Sequence, residues 1–231
     1  MTTLLIATRN AHKAREIRQV LTGDFQFLTL VDFPGAPEVV EDGATFAANA
    51  SKKAIALANW LAADGPAAPS PPSDSLNPNH NLNLNPNLLP FCVLADDSGL
   101  EVDALGGAPG VHSARFAALD TGGAGNSPDA ANNAKLLRLL ASVSLPHRTA
   151  RFRCVLALRR LRQPSETILF EGVCHGRISL QPAGAGGFGY DPLFIPDGFD
   201  RSFAELGDAV KNTMSHRARA LQKLREYLTL K

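Results

Sequence analysis

Apolar positions along the chain form short unbroken runs and stripes at helical spacing. Leu4 to Ala7 is such a run and predicts a buried strand. It ends in Thr8-Arg9-Asn10, where a helix is predicted to start with Asn10 as N-cap and Ala14, Ile17 and Leu21 along one face. Phe27 to Val31 reads as a second strand, followed by a loop with Pro34, Gly35 and Pro37. A second helix begins near Thr45 and carries Phe46, Ala50, Ile55, Ala58 and Leu61. Phe91 to Ala95 is another buried strand, and residues 106–115 form a Gly/Pro-containing loop. Ser127 and Pro128 suit the N-cap and first position of a helix striped by Leu136, Leu137 and Leu140. Residues 150–162 and 166–180 read as two long antiparallel strands, and a glycine-rich loop spans Gly184 to Tyr190. The last helix starts after Ser215 and buries Leu221, Leu224 and Leu228. Alternating elements early and paired long strands later predict an α/β fold with a mixed sheet and helices packed on it.

Residues 64 to about 90 break the pattern. They are rich in Pro, Ser and Asn, with Asp74 the single charged residue after the helix. Such a stretch has little apolar surface to set against its ordering entropy, so it reads as a flexible surface insertion in one domain spanning 1–231. The 45% hydrophobic content is enough to build a core around the rest. Net charge is +1, from 23 Lys+Arg and 22 Asp+Glu, which argues against a nucleic-acid coat protein or a polybasic membrane binder. Cys92, Cys154 and Cys174 lie in apolar stretches without metal-ligand spacing and read as reduced core thiols, as in a cytoplasmic protein. No signal peptide or membrane-length apolar stretch is expected.

Candidate chemistry centres on Asp96-Asp97-Ser98, placed by this reading at a strand end before the turn-forming Gly99. Adjacent carboxylates on such a mount call for a cation, and a hard ion such as Mg²⁺ suits oxygen ligands. A solvated acidic turn is the alternative. Glu41-Asp42-Gly43 supplies more acid if the fold brings Glu41 beside Asp97. Thr8-Arg9-Asn10 at a strand-to-helix turn could offer amides to an anion, with Lys13 reaching over them. Lys52 and Lys53 point about 100° apart on a helix, so at most one faces a site. Lys211 and Ser215-His216-Arg217 put cations beside a helix N-terminus, which hints at a bound anion or polar ligand. In Gly187-Phe188-Gly189-Tyr190-Asp191 glycines flank aromatics, so the backbone can approach a ligand while a ring stacks on it.

Together these strings resemble the inosine/xanthosine triphosphate pyrophosphatase family. The resemblance is carried by residues 7–13, 41–46, 49–54, 94–102 and 105–115, then by 187–194, 204–206 and Ser215-His216-Arg217, in order over nearly the whole chain. Ala47 and Ala48 depart from the acidic residues usual after Thr-Phe, and His112 stands where an aromatic is usual. The resemblance implies an elongated mixed sheet with two lobes flanking an active-site cleft, a homodimer, and hydrolysis of deaminated purine nucleoside triphosphates to monophosphate and pyrophosphate. It implies Asp97 as general base, and Glu41, Asp97 and possibly Asp96 as the carboxylates that hold Mg²⁺. Ser98 would touch the substrate. Thr8, Asn10, Lys13 and Lys53 would grip phosphate, and Phe188, Gly189, Tyr190, Asp191, Lys211, His216 and Arg217 would surround base and ribose. Arg9 and Arg115, inside matching strings, join the substrate-binding set. A phosphatase using Asp96 as nucleophile and a nucleotide sensor without turnover are the competing readings.

Overall fold

The computed structural model of the chain describes residues 2–64, 91–123, 125–161 and 166–229. Beyond residue 64, the insertion expected at about 64–90 lies outside the described residues. Six strands form one sheet in the order β2-β1-β3-β4-β5-β6. They are β1 (Thr2–Ile6), β2 (Phe25–Thr29), β3 (Phe91–Val102), β4 (Thr149–Arg160), β5 (Thr167–Ile178) and β6 (Phe194–Pro196). β1 runs parallel to β2 and β3, and the pairings from β3 to β6 are antiparallel. The helices are α1 (Ala11–Val20), α2 (Phe46–Asp64), α3 (Asp129–Leu139), α4 (Phe203–Met214) and α5 (His216–Thr229). This is the mixed α/β sheet that the pattern predicts.

Strand alternation sorts the core. Val93 and Ala95 of β3, with Val155 and Ala157 of β4, pack against Ala50, Ala54, Leu57 and Ala58 of α2. Cys92 and Leu94, with Cys154 and Leu156, pack on the other face against Ile17 of α1 and Leu221 and Leu224 of α5. A third cluster forms where β3 and β4 extend past β1. Leu100, Val102 and Phe152 meet Leu136 of α3 and its C-cap Leu140, together with Phe194 and Phe203. The long strands thus carry two packed halves, and the cleft described below lies where they meet.

Several boundaries differ from the sequence reading. The second strand ends at Thr29, where the Asp32 carboxylate accepts from the Thr29 N–H at 2.7 Å and turns the chain, leaving Val31 82% exposed. On α2, Ile55 lies outside the buried stripe, which runs through Phe46, Ala50, Ala54, Leu57 and Ala58. Pro128 rather than Ser127 is the residue before α3, because the Ser127 hydroxyl accepts from Ala118 N at 2.9 Å instead of capping the helix. α4 is an additional helix, started by a reciprocal capping box between Ser202 and Glu205.

The largest difference concerns the acidic segment. β3 does not stop at Ala95. It continues to Val102, with Asp96, Asp97, Ser98 and Gly99 paired to Leu156, Val155, Cys154 and Arg153 of β4. Gly99 is therefore no turn residue. A Cβ there would lie 2.4 Å from Ser113 Oγ and 2.6 Å from Gly110 O, so the glycine admits the 106–115 loop against the strand.

Candidate active site

β1 makes its last bond to β3 through Ala7 N and Leu94 O, at 2.8 Å. Beyond that point β3 loses its parallel neighbour, and ligands of open α/β sheets bind in such crevices past strand C-termini. Asp96 and Asp97 follow after Ala95, and strand alternation sends them to opposite faces.

On the α1/α5 face, Asp96 is fully enclosed by donors. Lys13 Nζ is 2.7 Å from Oδ1, Arg217 Nε is 2.8 Å from Oδ2, and Ser98 Oγ donates to Oδ1 at 2.9 Å. The Cys154 thiol lies 3.3 Å from Oδ2. Burial acts to raise the Asp96 pKa, but the Arg217 and Lys13 charges overcome it and hold the carboxyl well below its ordinary range. The network continues. Arg217 Nη1 pairs with Glu16, and Glu16 Oε1 is 2.8 Å from Lys211 Nζ. Lys211 in turn is 2.6 Å from Asp191 Oδ2. Asp96, Arg217, Glu16, Lys211 and Asp191 are all buried, so each depends on its partners. Burial also leaves His216 neutral, with the Arg217 and Lys211 charges pushing its pKa further down, and its ring stacks on Phe152 at 4.7 Å.

On the α2 face, Asp97 has a different environment. Its Oδ2 is buried and has no hydrogen-bond partner. Burial raises its pKa to about 6, against the opposing charges of Lys53 and Lys13, and the Glu41 carboxylate adds to the rise. The Asn49 amide is close enough to lower it slightly, although its Nδ2 makes no hydrogen bond of ordinary geometry. Lys53 Nζ donates to Asp96 O at 2.6 Å and lies 3.1 Å from Glu41 Oε1. Lys52, one position earlier, turns outward to Asp42. The Glu41 loop is pinned twice: Asn49 Oδ1 accepts from Gly43 N at 2.7 Å, and Arg115 Nη2 donates to Glu41 O at 3.0 Å.

A cleft of about 110 Å³ opens on the Asp96 side of the sheet. Its lining includes Asn10, Lys13 and Ser98, then Phe188, Gly189, Tyr190 and Asp191, and also Lys211, His216 and Arg217. Phe188 presents its ring to Lys211 Nζ, 4.4 Å from its centroid, and to the imidazole of His12 at 5.2 Å. Lys13 belongs to both regions, since its ammonium lies against Asp96 and its charge acts on Asp97. A wider depression of about 490 Å³ between β5 and α5 holds none of these groups, and its Arg219 and Lys223 already bond carbonyls of β5.

The remaining sequence candidates have mainly structural partners. Asn10 caps α1, accepting from His12 N and Lys13 N, and Thr8 Oγ1 accepts from Asn10 N. Arg9 is exposed and donates to Ala36 O at 3.2 Å, and it does not line the cleft. The Tyr190 hydroxyl is buried on Ser113 O at 2.9 Å. Every nitrogen of the Arg217 guanidinium already has a carboxylate or hydroxyl partner. Among the described residues, no three His, Cys, Asp or Glu side chains converge on one point as a metal cluster would. Sequence reasoning missed Glu16, which bridges the cleft cations Lys211 and Arg217. Its signal was the three-residue spacing from Lys13 on α1, which places both on one helix face.

The model of the Ham1 family matches residues 4–227. A dITP/XTP pyrophosphatase of Geobacter sulfurreducens is 45% identical over 229 residues, covering 99% of this chain and 97% of that protein. A protein of the same name from Desulforamulus reducens is 44% identical over 97% of this chain and 94% of its own length. Among solved structures, a HAM1 protein from Coxiella burnetii superposes with a TM-score of 0.77 at 32% identity, covering 100% of both chains. With this fold, this acidic strand and these matches over nearly its full length, the chain belongs to the Ham1 family.

Proposed function

We propose that the protein hydrolyses deaminated purine nucleoside triphosphates (dITP, ITP and XTP) to the nucleoside monophosphate and pyrophosphate. The observation that carries this reading is the buried Asp97 carboxylate, with its Oδ2 unpartnered and its pKa raised, set between Lys53, Glu41 and the Lys13 that also lines an aromatic-containing cleft. The names of the similar proteins support the same substrates.

In this reading the base enters the cleft by Phe188, and the triphosphate passes Lys13 toward Asp97. Asp97 takes the proton of a water that attacks the α-phosphorus in line. The new P–O bond forms as the bond to the bridging oxygen breaks, and Lys13 and Lys53 stabilise the charge on the departing pyrophosphate. Glu41 and Asp97 would hold Mg²⁺. Mg²⁺ sites often use one or two carboxylates plus substrate phosphates, and the open Asp97 Oδ2 fits that donor set. When bound, the ion would polarise the α-phosphate and make the attacking water more acidic. Asp96 fits such a role poorly because both its oxygens already face cations. The same occupancy weakens the phosphatase alternative, which needs Asp96 as a free nucleophile. Asp96 serves better as the anchor that fixes Lys13 and Arg217. Arg115 acts by clamping the Glu41 loop.

Incubation with dITP, XTP or ATP and Mg²⁺ tests the reading. Pyrophosphate and monophosphate from dITP and XTP, with little from ATP, support it. Orthophosphate as first product would favour a phosphatase, and nucleotide binding without any product a sensor. The reading also includes a homodimer in the cytoplasm. The buried free thiols of Cys92, Cys154 and Cys174 support that location. Sedimentation at twice the chain mass would support the dimer.

A further inference from the structure

We propose that Asp129 and Asn133 of α3 are positioning residues that fix Phe188 and thereby set how tightly the purine base is held. The inference rests on the reading of the cleft as a nucleotide site. Neither residue belongs to the sequence-derived site, and neither is needed for the chemistry at phosphorus.

The two side chains grip one peptide unit after the other along Gly189. The Gly189 N–H donates to Asp129 Oδ2 at 2.6 Å, and Asn133 Nδ2 donates to Gly189 O at 3.0 Å. Residues four apart on a helix share a face, so α3 can present one acceptor and one donor to the same residue. Gly189 has φ of 62°, in the left-handed region, and the space around its α-carbon is open. A glycine so placed has many conformations available, and the two bonds select one.

The other atoms beside Phe188 are tethered as well. Phe188 N donates to Asp191 Oδ2 at 2.9 Å, and the Tyr190 hydroxyl holds Ser113 O. The Phe188 ring itself meets the exposed His12 imidazole and the Lys211 and Arg217 cations. The Phe188 N–H and C=O are tied to Asp191, and the next residue, Gly189, is tied to α3 at both its N–H and its C=O, so α3 helps set the backbone direction from which the ring projects. Asp129 is also in the first turn of α3, where its charge suits the helix N-terminus. Asn133 is buried, and its Nδ2 bond to Gly189 O holds the amide in place although its Oδ1 has no hydrogen-bond partner.

Steady-state kinetics with dITP and amide hydrogen exchange on the full chain test this together. Asp129→Ala and Asn133→Ala are expected to raise KM about tenfold, the size of one lost charge-assisted or well-aligned bond, with kcat within about threefold. Asp129→Asn keeps an acceptor for the Gly189 N–H and is expected to recover most of the KM. Exchange at the Gly189 amide should accelerate about tenfold in Asp129→Ala and less in Asp129→Asn. If Asp129→Ala does not fold, Asn133→Ala and Asp129→Asn carry the same comparison. Folded variants with unchanged KM, or with kcat falling as far as KM rises, would overturn the proposal. A wild-type protein that releases no pyrophosphate from dITP would instead sink the reading of the site, a separate outcome visible before any variant is made.

Discussion

Asp96 and Asp97 are neighbours in the chain and occupy opposite environments. Asp96 faces Lys13, Arg217, Ser98 and the Cys154 thiol, and its charge is locked in place. Asp97 faces Asn49, Lys53 and Glu41 across the sheet, with one oxygen left open and its pKa raised to about 6 by burial. Sequence adjacency on a strand thus separates a structural acid from a chemical one, because each residue step reverses the face. The difference lies in how many donors each face supplies. A carboxylate saturated by cations is a poor proton acceptor and a firm anchor, whereas an under-compensated one is primed to take a proton or a metal.

The sharpest way to break this comparison is to neutralise each acid in turn. Asp97→Asn removes the proposed base and is expected to lower kcat by about 10³-fold, within the usual range for general-base loss. The same variant should be more stable than wild type in metal-free protein above pH 6. The sign follows from linkage. The folded state holds the Asp97 proton up to about 6 and the unfolded state releases it near 4, so wild-type stability falls between those values as pH rises. Two units correspond to about 3 kcal/mol, an upper figure for a group with charged neighbours, and a Tm gain of about 5 °C at pH 8 would match it.

Asp96→Asn should act in the opposite sense on stability. It strands Lys13 and Arg217 beside a neutral amide, and loss of one partner from a buried ion network costs about 3 kcal/mol. The stabilisation from Asp96 is present above its unfolded pKa near 4 and is lost in stronger acid, so wild type and variant should converge in acid unfolding. Thermal denaturation at pH 7 and pH 3 checks both.

The adjacent lysines make a milder test. Lys53→Ala removes a cation from Glu41 and from the Asp96 carbonyl and is expected to lower kcat/KM about 100-fold. Lys52→Ala, with its exposed partner Asp42, should change kcat/KM by less than twofold. The smallest effect expected of a site residue is that of Arg115→Ala. It frees the Glu41 carbonyl, and a few-fold rise in the Mg²⁺ needed for half-maximal rate would show that the clamp presets the loop.

Much of this architecture was legible in the sequence because it rests on local patterns. The long strands β4 and β5, the Asn10 cap and the stripes of α3 and α5 follow from periodicity and turn chemistry. The strand end misplaced at Ala95 shows where local reading fails. Leu100 and Val102 continue the alternation of Cys92 and Leu94 across the acids, but acids inside a strand look like a break until the charges that compensate them are known. Those charges come from residues up to 121 positions away, such as Arg217. The same distance hid Glu16, whose partners Lys211 and Arg217 lie at the other end of the chain. The capping box of α4, Ser202 and Glu205, was a local signal within reach of sequence.

The most direct test of the split between the two acids is a carboxyl-carbon NMR titration of metal-free protein with both residues assigned. The account predicts that Asp97 titrates near 6 while Asp96 stays ionised down to the acid limit of folding. Asp97 titrating near 4, or Asp96 taking up a proton before Asp97, would contradict it.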